Sequence, residues 1–164
     1  MQNAKDTFYL TLQGRLAALN PARTIVLRGL IRPGTLVDEN ELPTASPPTD
    51  AFRLEWTNFH VTSASPLPWV GLECVIHYET DGTPVNAGMD RGRLLAAMDA
   101  ELATALAEYP HAVPKLNYTT APPTTMATNI FWADPVFGAI LITDERLSRT
   151  ATVQVVAYQE AGEL

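Results

Sequence analysis

Cysteine is almost absent from this chain. Cys74 is the only one, so no intrachain disulfide can form and a zinc site would have to be built mostly from histidine and carboxylates. Basic charge is scarce as well. Lys and Arg total 11 against 18 Asp and Glu, a formal net charge of −7 with a pI of about 4.8. No Lys/Arg stripe offers a footprint for nucleic-acid phosphates. No apolar run nears the ~20 residues a membrane-spanning helix requires, and Met1 to Asp6 lacks the basic start and apolar stretch of a secretory signal. Cytosolic synthesis, no membrane partner and a fold resting on packing alone are the expectations. Catalytic signatures are missing too: there is no HExxH, no paired-cysteine or EF-hand spacing, no GxSxG elbow and no P-loop.

What is present is 164 residues, of which 46% are hydrophobic, with a mean hydropathy near zero. That suits one soluble globular domain over 1–164. Only 18% of residues are charged, below the ~25% of an average soluble protein, and there are 13 prolines. A surface poor in charge is one built to be covered.

Phe8, Leu12, Leu16 and Leu19 recur at helical spacing, and Asn20-Pro21 stops that helix. Arg23 to Leu30 reads as a strand and opens into a proline-rich stretch, 32–50, which reads as a long loop or arm. Phe52 to Val61 and Gly71 to Thr80 read as two strands. Asp90 to Tyr109 carries Leu95, Met98, Leu102 and Leu106 on one helical face and ends at Pro110. A second long connection, 110–128, shows no period. Gly138 to Leu147 and Ala151 to Gln159 read as a hairpin joined by Ser148-Arg149-Thr150. Strands grouped rather than alternating with helices predict an α+β fold: a single antiparallel or mixed sheet of four to five strands with two helices packed on one face. Val153 to Tyr158 is apolar on both faces, which places it centrally and leaves a second sheet face for a neighbouring subunit to cover.

His77, Glu79 and Asp81 share one face of a strand, where a metal could in principle sit. The opposite face carries Leu72, Cys74, Ile76 and Tyr78, so a solvated strand face is the better reading, and Cys74 is a small core residue rather than a thiolate. Between Asp81 and Gly92 the glycines lack phosphate-cradle spacing. Arg91 and Arg93 oppose the dipole at a helix start, at about 0.3–1 kcal/mol each, and are candidates to pair with acids of a partner subunit. Trp132 belongs to a group of aromatics near strand ends, a plug at a sheet end or an interface core. An enzyme or ligand-binding domain would have its site among His60, His77 and His111. No cofactor is expected.

The RTIVLRGL strand opening into a proline-rich loop, GLECVIHYET, the junction DGTPVNAGMDRGRLLAAMDAELATAL and the closing AILITDERLSRTATVQVVAYQ together resemble the tail-terminator (tail-completion) proteins of tailed bacteriophages and prophages. That resemblance covers most of the chain in element order. It implies a non-enzymatic α+β subunit that closes into a homo-oligomeric ring, hexameric in the family. Such a ring caps the tail tube, stops its polymerisation and docks the head connector; another neck protein of the head–tail connector type is the nearest alternative. The protein would then be a virion tail or neck component assembled in the host cytoplasm. Six chains at −7 each sum to −42, and an acidic lumen would let DNA slide without binding. Under this reading Arg32, Asp38, Glu39 and Glu41 in the arm, together with Thr119 to Thr128, Arg91, Arg93 and Trp132, contact the tube or neighbouring subunits.

Overall fold

The computed structural model describes residues 1–40, 48–63, 67–143, 145–161 and 163. Helix α1 (Gln2–Leu19) is followed by β1 (Thr24–Leu27), β2 (Leu30–Pro33), β3 (Thr35–Val37), β4 (Phe52–Thr62) and β5 (Trp69–Thr80). Then come α2 (Arg91–Ala107), β6 (Ala112–Asn117), β7 (Thr124–Trp132), β8 (Val136–Phe137), β9 (Leu141–Thr143) and β10 (Arg146–Tyr158). Strands β1 and β2 form a separate two-stranded hairpin. Its connection, Arg28-Gly29, has φ of 50° and 79°, the left-handed pair that matches strand twist in a two-residue turn.

The remaining eight strands form one sheet in the order β3-β4-β5-β10-β7-β6, with β8 and β9 also paired to β10. Every pair is antiparallel except β3 with β4. The expected single sheet of four to five strands is therefore wrong: 44% of the described residues are strand and 25% helix, with a large curled sheet. Two stretches that looked structureless supply much of the difference. Within 110–128, β6 and the start of β7 pair antiparallel. Their threonines and Pro114 hid them, because β6 is an edge strand, where a proline sacrifices no ladder bond to a second neighbour. Within 32–50, Thr35–Val37 adds the parallel strand β3.

The closing hairpin is also placed differently. β10 runs unbroken from Arg146 to Tyr158, so Ser148-Arg149-Thr150 is strand and not turn. Arg149 can lie in a strand because Asp99 accepts from its Nη1 at 2.7 Å and the Gly138 carbonyl from its Nε at 2.7 Å. β10 is the central strand, paired along its whole length with β5.

Side-chain alternation divides the sheet sharply. Leu72, Cys74, Ile76 and Tyr78 of β5, with Ala151, Val153, Val155 and Ala157 of β10, face α1 and α2 and are buried. From α1 the core takes Phe8, Leu12 and Leu16, and from α2 it takes Leu95, Met98 and Leu102. Phe8 packs edge-on between Trp56 and Trp132, with centroids at 5.8 Å and 6.0 Å; truncating such a side chain to alanine costs about 3–5 kcal/mol.

Arg23 ties this layer to the hairpin. Its Nε and Nη2 donate to both Glu101 oxygens, at 2.7 Å and 2.8 Å, and its Nη1 donates to the Asp50 carbonyl at 2.9 Å. Burial pushes the Glu101 carboxyl up, but hydrogen bonds from Arg23 and Asn20 outweigh it and hold the group below its ordinary value. A lowered acid pKa stabilises the fold above the unfolded pKa of about 4.3, and that contribution is lost as pH falls through the folded value. Glu101→Ala should cost about 1–3 kcal/mol, since it strands a half-buried guanidinium. It should also remove part of the wild-type loss of stability in acid, as thermal unfolding between pH 3 and 7 will read.

Candidate functional site

The two sides of the molecule differ in chemistry. On the sheet face opposite the helices, β4, β5 and β10 present Glu73 at the centre, flanked by the half-buried Val75, Thr152 and Val156. Glu73 is a prepared acceptor. Thr57 Oγ1 and Asn58 Nδ2 donate to its Oε1 at 2.7 Å and 3.0 Å, and Gln154 Nε2 donates to its Oε2 at 2.9 Å. Pairing between β4 and β5 shifts between Trp56 and Asn58. A bulge of this kind sets two residues against one, which is how consecutive side chains on β4 reach a single carboxylate. These hydrogen bonds, from Thr57 first and then from Asn58 and Gln154, hold Glu73 below its ordinary pKa. No cation pairs with it among the described residues.

The other surface lies at the entry to α2. Asp90 accepts from the Thr83 backbone N–H at 2.8 Å, the Thr83 hydroxyl at 2.6 Å and Asn86 Nδ2 at 2.9 Å, which closes residues 83–90 into one fixed turn. These bonds, the Thr83 hydroxyl first, hold Asp90 well below the usual carboxylate range. Gly82 and Gly88 both have positive φ, and Arg91 lies over them so closely that a Cβ at Gly88 would overlap its guanidinium. On this rigid turn Val85 is 94% exposed and Met89 90% exposed. With Asn86 and Arg93 they line one shallow depression. Arg93 is exposed and has no acidic partner among the described residues.

A third feature is apolar. The β1–β2 hairpin exposes Val26, Leu30 and Ile31, and β9, paired to β10 where β5 ends at Thr80, exposes Leu141 and Ile142. Beside β9 runs an open groove of about 200 Å³ lined by Leu36, Ala51, Arg53, His77, Glu79 and Leu141. That is smaller than the ~300–1,000 Å³ of an ordinary small-molecule site.

The expected contact residues are scattered over this frame. Asp38 pairs with Arg53 at 3.5 Å and Glu39 with Lys5 at 2.6 Å, so both are engaged within the subunit. Arg32 lies on β2, beside the exposed apolar residues of the hairpin. Glu41 lies outside the described residues. Arg91 packs on its own turn, whereas Arg93 two positions on points to solvent. Trp132 is core: it is 6% exposed and its indole N–H donates to the Leu106 carbonyl at 3.0 Å. Val85, Met89 and Glu73 were not singled out in the sequence. The first two stand in a turn whose glycines lack phosphate-cradle spacing, and Glu73 needs the bulge to gain its donors.

The three histidines do not converge. His60 sits edge-on to Trp69 at 5.0 Å, His77 bonds Glu55 at 2.8 Å, and His111 stacks between Tyr109 and Trp132. Glu79 and Asp81, read with His77 as a strand face, are both bound by Arg146. No three His, Cys, Asp or Glu side chains group as metal ligands among the described residues. Burial pushes the Cys74 thiol far above its ordinary value, which keeps it protonated. No protein-family model matches the chain, and no curated protein matches its sequence.

Proposed function

We propose that this chain is a structural ring subunit of a phage tail or phage-derived injection device, a tail terminator that caps the tail tube, stops its growth and offers a docking face to the head connector. The observation that carries the reading is the one-sided architecture: a wide sheet whose helices pack on one face, while Glu73 and its half-buried neighbours lie on the other, and large apolar side chains, Ile31, Ile142, Val85 and Met89 among them, stand exposed. Contiguous exposed apolar surface marks sites of association. Two unlike surfaces on one subunit give head-to-tail contacts, which close into a ring when the rotation between copies closes. The exposed side chains of Val26, Leu30, Ile31, Leu141 and Ile142 form the surface proposed for the tube. Acidic charge summed around such a ring would repel DNA phosphates from its bore. The chain works in this account by shape and closure, with no covalent chemistry.

Negative-stain images of the purified protein, alone and mixed with its tail tubes, test the reading. Rings alone or discrete caps on tube ends, with tubes that stop lengthening, are the expected result. Tubes that elongate unaltered and carry no cap would refute it.

A further inference from the structure

The positions of Arg93 and Glu73 carry the ring reading one step further. In this acidic chain Lys5, Arg23, Arg53, Arg146 and Arg149 each bind a carboxylate of the same subunit. Arg93, exposed in the first turn of α2, does not, and it lines one depression with Val85 and Met89 of the turn that Asp90 fixes. Conversely, Glu73 is oriented by three neutral donors on the open face, amid half-buried valines, with Phe131 exposed at the margin across from Val156. One surface is cationic and apolar, the other anionic and apolar. They also lie on opposite sides of the sheet, because α2 packs on the covered face, so a chain cannot satisfy its own Arg93 with its own Glu73.

We propose that Arg93, with Val85 and Met89 beside it, docks on the open sheet face of a second copy of this chain, its guanidinium bound to the Glu73 carboxylate. The contact rests on the ring reading and names its two faces. Its chemistry fits a small association hot spot: an arginine and bulky apolar side chains on a rigid projection, meeting a carboxylate whose orientation is already set. Pre-orientation on both sides lowers the ordering cost of association. The contact is heterologous, so repeating it generates a ring or filament and never stops at a symmetric dimer.

Charge exchange tests it. Arg93→Glu and Glu73→Arg should each weaken self-association of the full chain at least ~30-fold, read by sedimentation velocity across a concentration series. Mixed in equal amounts, the two variants should assemble to within a few-fold of wild type. Where they alternate, each contact joins opposite charges: either the native pair, or the same pair with its two charges exchanged. Circular dichroism checks folding; if Glu73→Arg does not fold, Glu73→Gln replaces it and should weaken association by itself. Single variants that assemble like wild type, or a mixture that gains nothing, overturn the Arg93–Glu73 contact while leaving the ring reading intact. A wild-type chain that stays monomeric to millimolar concentration, with and without its tail tubes, overturns both.

Discussion

Glu163→Ala lowers the stability of the isolated subunit by about 3–5 kcal/mol, the loss expected when one partner of a buried ion pair is removed. Lys115 is 0% exposed, and its ammonium donates to Glu163 Oε2 and to the Tyr158 carbonyl. The Glu163 side chain is itself only 4% exposed. Without it, a buried cation keeps a single carbonyl acceptor. The same residue stitches the end of the chain to the sheet: Glu163 accepts from the Glu160 N–H, and Glu160 in turn accepts from the Thr128 hydroxyl and N–H. At a denaturant slope of about 2 kcal/mol/M, the urea midpoint should fall by roughly 1.5–2.5 M. Lys115→Met combined with Glu163→Leu should return the midpoint to wild type or above, since apolar replacement of a buried pair is often neutral or stabilising. A midpoint unchanged in Glu163→Ala, or a double variant as unstable as the single, would show that the pair does not govern this corner of the core.

The combined variant Ile31→Asp and Ile142→Asp should leave the subunit folded and remove the tube binding proposed for it. Ile31 is 76% exposed and Ile142 79% exposed, and exposed positions of this kind change stability by only about ±0.5 kcal/mol. Placing a carboxylate where an apolar contact forms costs about 2 kcal/mol or more per site, so the pair should reduce capping affinity on the order of 1,000-fold. The two residues sit on different segments, the β1–β2 hairpin and β9. Each single substitution should therefore produce an intermediate loss. Melting curves matching wild type with tube binding abolished are expected. Undiminished capping by the double variant would remove these two segments from the contact surface.

The parts of the fold legible in the sequence are those with a strong period. Phe8, Leu12 and Leu16 of α1, the stripe of α2 and the alternation of Leu72, Cys74, Ile76 and Tyr78 locate the core, because burial on one face leaves a direct mark on residue order; Leu19, the last of the α1 stripe, is exposed. Edge strands leave no such mark. β6 carries a proline, and β7, which lies between β10 and β6, begins in exposed threonines and buries only Ile130 and Trp132 near its end, so a sheet of eight strands reads as one of four or five. Ser148-Arg149-Thr150 looks like a turn until Asp99, fifty residues away, neutralises the arginine. At the candidate site, Arg93 is visible as a cation at the wrong end of a helix dipole. Its companion Arg91, equally conspicuous in sequence, is absorbed locally by the glycines it covers. Glu73 is silent in the sequence, since its donors come from two neighbouring strands and a bulge.

Native mass spectrometry of the full chain, alone and with a tail-tube protein, reads the copy number on which the ring proposal stands. A repeated building block should yield one closed species of fixed copy number; a six-membered ring of 17.9 kDa chains weighs about 107 kDa, either free or seated on the tube protein. A lone 17.9 kDa species under both conditions would contradict the account.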